Sequence, residues 1–207
     1  PDKTLSDDAW ERALETLSRM GQRLRDLPHH AVRAVGTNTM RQVNDGGAFL
    51  KAAEDALGHP IEIIGGREEA RLVYLGVAHG LAAGEETRLV VDIGGGSTEL
   101  ILGRGLEPSE RESLFMGCVS MTGRYFANGK ISGDSMDKAV LAGRIELRPV
   151  RRLFQSGRWQ AAVGSSGTAK AIERVVVANG WSDEGITPGS LKKLRRSLVN
   201  AGHVDKL

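Results

Sequence analysis

The feature that most constrains the fold of this chain is a run of three glycines, Gly94 to Gly96, between two apolar stretches. Residues 89–93 and 97–103 are rich in apolar and β-branched side chains, which predicts a strand, a tight turn and a second strand. Consecutive glycines leave backbone N–H groups uncovered and permit positive φ, so such a turn is able to wrap closely around an oxyanion. The sequence therefore predicts an anion-binding turn or, as the alternative, an ordinary tight hairpin turn.

A carboxylate flanks this turn on each side. Asp92 ends the first apolar run, where an acidic side chain is poorly placed for stability and well placed for a divalent cation. Magnesium prefers few protein carboxylates together with several waters and phosphate oxygens, so Asp92 and Glu99 are its candidate ligands. The alternative is that Asp92 accepts hydrogen bonds from turn amides and Glu99 pairs with a basic residue across the strands.

Two other glycine-rich motifs do not match this turn. The dinucleotide motif needs glycines at its first, third and sixth positions before a helix, whereas the sixth residue from Gly94 is Glu99 and a strand follows. A phosphate loop of the Walker type needs a lysine after its last glycine, and none is present. A dinucleotide-binding domain and a Walker-type ATPase are therefore excluded.

A second turn rich in backbone donors lies between a predicted strand at 160–163 and a predicted helix at 169–177. The positive end of a helix dipole favours phosphate, so this turn is a second candidate phosphate-binding segment. The alternative is that Ser166 or Thr168 caps the helix. The candidate phosphate-binding residues of the two turns are Gly94, Gly95, Gly96, Ser97, Gly164, Ser166, Gly167 and Thr168.

The rest of the chain alternates between helical and strand patterns, which indicates an α/β protein. Ser6 is a good N-cap for a first helix, and residues 82–87 are the best candidate linker. The other predicted helices are 39–57, 67–81, 120–127, 135–154 with an interruption near Pro149, and one that begins at Thr187. The other predicted strands are 31–35, 61–64 and 112–115.

Composition excludes several function classes. The 207 residues, of which 40% are hydrophobic, are enough for a sizeable core, and the net charge of +2 is uninformative about partners. Only 4% of residues are aromatic, which argues against a base-stacking surface and a nucleic-acid partner. The single cysteine, Cys118, excludes an internal disulfide and a cysteine zinc site, and we expect it in the core. No segment is long and apolar enough to span a membrane, so no membrane partner is expected.

Several blocks together resemble one family. The glycine turn resembles the phosphate hairpin of the actin, sugar-kinase and heat-shock chaperone superfamily, and in detail residues 92–99 resemble the exopolyphosphatase and guanosine pentaphosphate phosphohydrolase family. The other matching blocks, in the family's order, are 35–42, 62–72, 116–120 and 163–168. The match is to the middle of the family's length, without its opening phosphate loop or its C-terminal portion. The chain is therefore expected to be a central fragment with little activity of its own.

The resemblance implies a ribonuclease H-like fold made of two incomplete half-domains, residues 1–85 and 86–207, with ligand in the cleft between them. It implies a hydrolase that releases terminal phosphate from inorganic polyphosphate, towards which the motifs lean slightly, or the 5′ γ-phosphate of guanosine pentaphosphate. It also implies Mg²⁺ as cofactor, a bacterial cytoplasmic location, a role in the stringent response and a homodimer of the full-length protein. The alternative is a non-catalytic phosphate- or nucleotide-binding module of the actin-like superfamily.

The resemblance assigns Glu69 the role of general base. Leu72 and Val73 lie three and four residues later, so on a helix Glu69 projects beside apolar positions. The alternative is that Glu69 only complements the positive end of its helix. Thr37 and Arg41, one helical turn apart, are further candidate phosphate ligands, because an arginine binds phosphate bidentately. Arg41 is otherwise a solvated surface charge.

Overall fold

The computed structural model describes residues 5–44, 46–82 and 84–207, which group into two compact units, Pro1–Glu68 and Glu69–Leu207. The sequence prediction divided the chain after residue 85 instead. The difference is a helix, α4 (Gly66–Gly80), whose buried Ala70 and Tyr74 pack against strands of the second unit. The boundary between the two units therefore follows the apolar packing of α4 on the sheet, not the polar stretch after α4.

The first unit pairs helices with a short parallel ribbon. Helix α1 (Asp7–Leu24) begins after Ser6, whose hydroxyl accepts a hydrogen bond from the Ala9 N–H as predicted. The ribbon consists of β1 (Ala34–Gly36) and β2 (Ile61–Ile63). Between these strands lie α2 (Asn38–Gln42) and α3 (Gly46–Leu57).

The single helix predicted over 39–57 is wrong, since α2 and α3 are separate. Val43 has extended dihedral angles and its N–H closes the last turn of α2 on the Thr39 carbonyl. Gly46 and Gly47 open α3, and glycine has a low helix propensity that weakens continuation through this point. Helix α3 ends before Gly58, whose φ of +74° suits a left-handed terminus, as expected.

The second unit contains a four-stranded mixed sheet. Strands β3 (Thr87–Ile93) and β4 (Thr98–Arg104) form the predicted antiparallel hairpin around the glycine turn. Strand β5 (Glu107–Leu114) continues the antiparallel pairing, and β6 (Ala161–Ser165) lies parallel to β3. Strand β5 begins earlier than predicted. The prediction missed its first residues because they are polar, as an edge strand allows, and show no apolar alternation.

Helices cover the two faces of this sheet. Val90 and Ile101, which are register partners, face α4 and pack with Ala70 and Tyr74. The other face carries Leu89, Leu100 and Leu102, which pack with Leu114 and Phe154. The remaining helices are α5 (Cys118–Tyr125), α6 (Gly133–Leu147), α7 (Ser166–Ala178) and α8 (Pro188–Ala201).

Two further predictions need correction. The interruption predicted near Pro149 is present, but the helix does not resume to 154: α6 ends at Leu147, because Pro149 has no N–H to continue it, and turns follow. Cys118 is exposed rather than in the core, since it occupies the first position of α5. Across the described ranges, none of the helices combines the length and apolar character that crossing a membrane requires.

Candidate active site

The two predicted turns lie at the same edge of the sheet. Strands β3 and β6 run parallel, with Asp92 opposite Ser165, so the glycine turn after β3 and the start of α7 after β6 leave the sheet side by side. The two donor-rich turns are therefore neighbours. The carboxyl ends of parallel strands are where open α/β sheets bind ligands.

Helix α5 fixes the orientation of the glycine turn. The N–H of Cys118 donates to the Gly94 carbonyl at 2.9 Å, and the N–H groups of Val119 and Ser120 donate to the Gly95 carbonyl at 2.9 and 3.1 Å. In a trans peptide the N–H points opposite to the carbonyl. The N–H groups that follow these two carbonyls, those of Gly95 and Gly96, therefore point away from α5.

These two N–H groups are available to a ligand. Among the described residues, neither Gly95 nor Gly96 donates a backbone hydrogen bond within the turn, whereas the Gly94 N–H donates to the Ser97 carbonyl at 3.0 Å. Gly95 is exposed and Gly96 is half-buried. Two adjacent N–H groups that point to one side of a turn form the kind of concavity that binds anions.

The acidic residues gather on the sheet face that α4 covers. Asp92 and Glu99 are register partners across β3 and β4, so their side chains share the face of Val90 and Ile101. Asp92 is 7% exposed and Glu99 is 2% exposed. The preceding neighbour of the buried Ala70 on α4 is Glu69, which is half-buried.

Glu99 lies within electrostatic range of both other carboxylates. Burial is the largest cause of a raised pKa at Glu99. Side-chain hydrogen bonds with Ser113 and Ser97 lower this pKa, and the carboxylates of Glu69 and Asp92 raise it further. The Ser113 hydroxyl donates to Glu99 Oε1 at 2.8 Å. The second unit thus concentrates negative charge beside the glycine turn.

The second turn is held to the first by a side chain. The Ser166 hydroxyl donates to Asp92 Oδ1 at 2.6 Å, and the Ser165 N-cap makes no side-chain capping bond to α7. Gly164 lies in β6 rather than in the turn, because the strand continues to Ser165. A Cβ on Gly164 would lie 2.9 Å from the Ala169 Cβ, so close packing of α7 accounts for this glycine.

The sequence decides the family. The sequence model of the Ppx/GppA phosphatase family matches residues 1–207, the whole chain. The chain belongs to the Ppx/GppA phosphatase family.

Solved structures of Ppx/GppA proteins share the fold. An exopolyphosphatase-like protein is 28% identical with a TM-score of 0.78, over 85% of this chain and 56% of that one. The PPX-GPPA enzyme of Aquifex aeolicus is 25% identical (TM-score 0.72), and an exopolyphosphatase from Cytophaga hutchinsonii is 23% identical (TM-score 0.79). Each of these two matches covers 95% of this chain and 66% of the other. The predicted α/β, ribonuclease H-like fold is confirmed, and the chain spans roughly 56–66% of these relatives.

In this Ppx/GppA chain, the carboxylates beside the glycine turn fit the ligand requirements of a magnesium ion. No group of three His, Cys, Asp or Glu side chains within the described ranges is arranged to hold a metal ion. Magnesium needs fewer, since it is commonly bound by one or two carboxylates together with waters and substrate phosphates. Asp92 and Glu99 supply two carboxylates on one face, and the buried Glu99 has a raised pKa because its charge is poorly solvated there.

Two predicted phosphate ligands belong to the first unit. Thr37 is the N-cap residue of α2 and its side chain makes no capping bond. Arg41 Nη1 donates to the Ile64 carbonyl at 2.6 Å. Both residues lie in the first unit, whereas the glycine turn lies in the second.

Sequence reasoning missed three residues that support the site. Ser113 contacts Glu99 through the register of β4 and β5, and that register was not apparent from the polar sequence of β5. Gly117 lies against the glycine turn, and its block was noted in the sequence without a role. Tyr74 anchors α4, since its buried ring packs with Val90 and Ile101 and its hydroxyl donates to the Gly105 carbonyl at 3.1 Å.

Proposed function

We propose that this chain carries the catalytic carboxylates and the phosphate-binding turn of a phosphoanhydride hydrolase. Its substrate is inorganic polyphosphate, from which it releases terminal phosphate, or guanosine pentaphosphate, from which it releases the 5′ γ-phosphate. The observation that carries the proposal is the gathering of Glu69, Asp92 and Glu99 beside a turn with two free N–H groups. Membership of a phosphatase family supports the reaction class.

The glycine turn is suited to hold the transferred phosphoryl group. Phosphoryl transfer relies on positioning and on stabilising charge spread over the equatorial oxygens. The N–H groups of Gly95 and Gly96 are fixed by the bonds from α5, so they donate without reorganising as negative charge develops. Gly167 and Thr168, in the first turn of α7, add a positive helix end at the same edge of the sheet.

Glu69 acts as the general base in this proposal. It orients a water and accepts its proton as the water oxygen bonds to phosphorus. The anhydride P–O bond breaks, and its electron pair leaves on the oxygen of the remaining phosphate chain. Its helix is anchored by Ala70 and Tyr74 on the sheet, so the carboxylate is held by a rigid element. Glu68 lies at the same end of α4 but close to a cation, with Oε1 3.8 Å from Arg33 Nη2.

Asp92 and Glu99 would hold Mg²⁺. An ion held by these two carboxylates would supply positive charge to phosphate oxygens and to the leaving group. The two acids flank the turn directly, so ion and phosphate would share one site. On the family resemblance we further propose a bacterial cytoplasmic protein that acts as a homodimer when full length, with a role in the stringent response.

Phosphate release with Mg²⁺ from long-chain polyphosphate and from guanosine pentaphosphate is the direct test. Both substrates are offered to this chain and to the longer protein that contains it. Binding is measured in parallel as the rise in the thermal unfolding midpoint of each protein when the substrate is added. Phosphate release that depends on Glu69 supports a hydrolase, and the substrate that is hydrolysed faster identifies the substrate class.

Binding without turnover in both proteins would favour the alternative, a phosphate- or nucleotide-binding module. In that case Glu69→Gln would leave binding unchanged, because a binding module needs no carboxylate as base. Turnover that is equal in wild type and Glu69→Gln would contradict the assignment of the base.

A further inference from the structure

Ser166 has a backbone conformation that its side chain does not favour. Its φ of +67° makes it the one non-glycine residue with positive φ in the described part of the chain. In the left-handed region the Cβ of an L-residue crowds the backbone, and only glycine, asparagine and aspartate enter it readily. Strain of this kind persists where surrounding structure enforces it, and it clusters at functional sites.

The interaction that accompanies this conformation is the bond to Asp92. The Ser166 hydroxyl donates to Asp92 Oδ1 at 2.6 Å, across 74 residues of sequence. Register places Ser165, not Ser166, opposite Asp92, so Ser166 reaches the carboxylate from the first position of α7. The left-handed turn and the hydrogen bond are therefore features of the same residue.

A hydroxyl has one proton to donate. Because Asp92 receives that proton, the Ser166 side chain has none left for a phosphate oxygen, which is itself an acceptor. A phosphate oxygen would therefore have to be bound by the backbone donors of this turn, as predicted for it, and not by the Ser166 hydroxyl. The backbone N–H of Ser166 remains in the first turn of α7, where a phosphate would still meet it.

We infer that Ser166 is a positioning residue for Asp92: its hydroxyl holds Oδ1 and leaves Oδ2 to bind the cation. The inference rests on the proposed function, in which Asp92 binds Mg²⁺. A carboxylate with one oxygen fixed has a defined orientation, which a ligand to a small ion of strict octahedral geometry needs. The left-handed backbone of Ser166 is retained because it brings the hydroxyl to Asp92.

Ser166→Ala and Ser166→Gly separate the hydroxyl from the strain. Both lose the bond to Asp92, but only glycine relaxes the positive φ. The matched control is Ser109→Ala, which removes a hydroxyl that donates to the Leu102 carbonyl at 3.2 Å in the same sheet. The measurement is the thermal unfolding midpoint of this chain during titration with Mg²⁺ alone, and in a second series with inorganic phosphate alone.

We expect both Ser166 variants to need about three- to tenfold more Mg²⁺ for half of the stabilisation, which matches the net contribution of one typical hydrogen bond. Ser109→Ala should respond like wild type. Without Mg²⁺, Ser166→Gly should melt at a higher temperature than Ser166→Ala. The phosphate titration should be the same in all four proteins.

If both Ser166 variants respond to Mg²⁺ as wild type does, the positioning role is overturned and the proposed function stands. A weakened response to phosphate with an unchanged response to Mg²⁺ would also overturn it, and would make the hydroxyl a phosphate ligand. A wild-type chain with no response to Mg²⁺ would overturn the proposed cation site, and this inference with it.

Discussion

Gly117 lies so close to the glycine turn that a Cβ on it would be 2.4 Å from the carbonyl oxygen of Gly95. The atoms it would meet are backbone, so no side chain can move aside. The same approach allows the first N–H groups of α5 to bond the Gly94 and Gly95 carbonyls. Gly117 is therefore what lets α5 orient the N–H groups of the candidate phosphate turn.

Gly117→Ala should destabilise the fold by about 1–3 kcal/mol, the usual cost of overpacking, and should weaken phosphate binding. The control is Gly123→Ala in the same helix, where a Cβ would meet nothing within 4 Å. There we expect a gain of about 0.5–1 kcal/mol from higher helix propensity. Urea unfolding and phosphate titration measure both effects, and equal behaviour of the two variants would contradict the packing argument.

Glu69→Gln keeps the size of the side chain and removes the base. If Glu69 takes the proton from water, kcat should fall by about 10²–10⁴-fold with little change in KM, because phosphate is held by the turn. The control is Glu68→Gln, which affects a residue near Arg33 and should cost much less. Steady-state phosphate release measures both. Equal losses at the two positions would direct attention to Asp92 as the base.

Glu99→Gln should change the dependence of stability on pH. Burial raises the pKa of Glu99 above the value of about 4.3 in the unfolded chain, so the folded state holds this proton more tightly. The folded protein therefore loses stability as pH rises through the raised pKa, and the variant, which cannot ionise, does not.

Without divalent cations, Glu99→Gln should thus be more stable than wild type at neutral pH, by a margin that shrinks towards about pH 4. Mg²⁺ should stabilise wild type more than the variant. The measurement is the free energy of unfolding in urea across pH, with a chelator and with Mg²⁺. A constant difference at all pH values would show that ionisation of Glu99 is not its source.

Tyr74→Phe tests the anchor of the helix that carries Glu69. Loss of the hydroxyl bond to the Gly105 carbonyl should cost about 1 kcal/mol, while the ring keeps its place over Gly103. Tyr74→Ala also removes the buried ring and should cost about 3–5 kcal/mol. Urea unfolding compares the two variants. A loss as large in Tyr74→Phe as in Tyr74→Ala would mean that the hydroxyl, not the ring, anchors α4.

Several features of the fold followed from local sequence. The three glycines between apolar runs predicted the hairpin of β3 and β4, and side-chain caps at Ser6 and Thr187 marked the starts of α1 and α8. These features are local, because strand alternation, turn dihedrals and helix caps depend on residues within a few positions of one another. Their positions beside the glycine turn identified the two acids Asp92 and Glu99 as candidates, and the resemblance of the local blocks to a family identified Glu69.

Only the tertiary structure decided which residues support those candidates. Ser113 lies beside Glu99 because of the register of β4 and β5, and Ser166 lies beside Asp92 because β6 pairs with β3. Both contacts join residues that no periodic pattern links. The exposure of Cys118 and the packing of α4 on the second sheet were likewise decided by which apolar faces meet. Strand register and helix packing depend on contacts between residues that are far apart in sequence. The free energy that favours one arrangement is spread over the whole core.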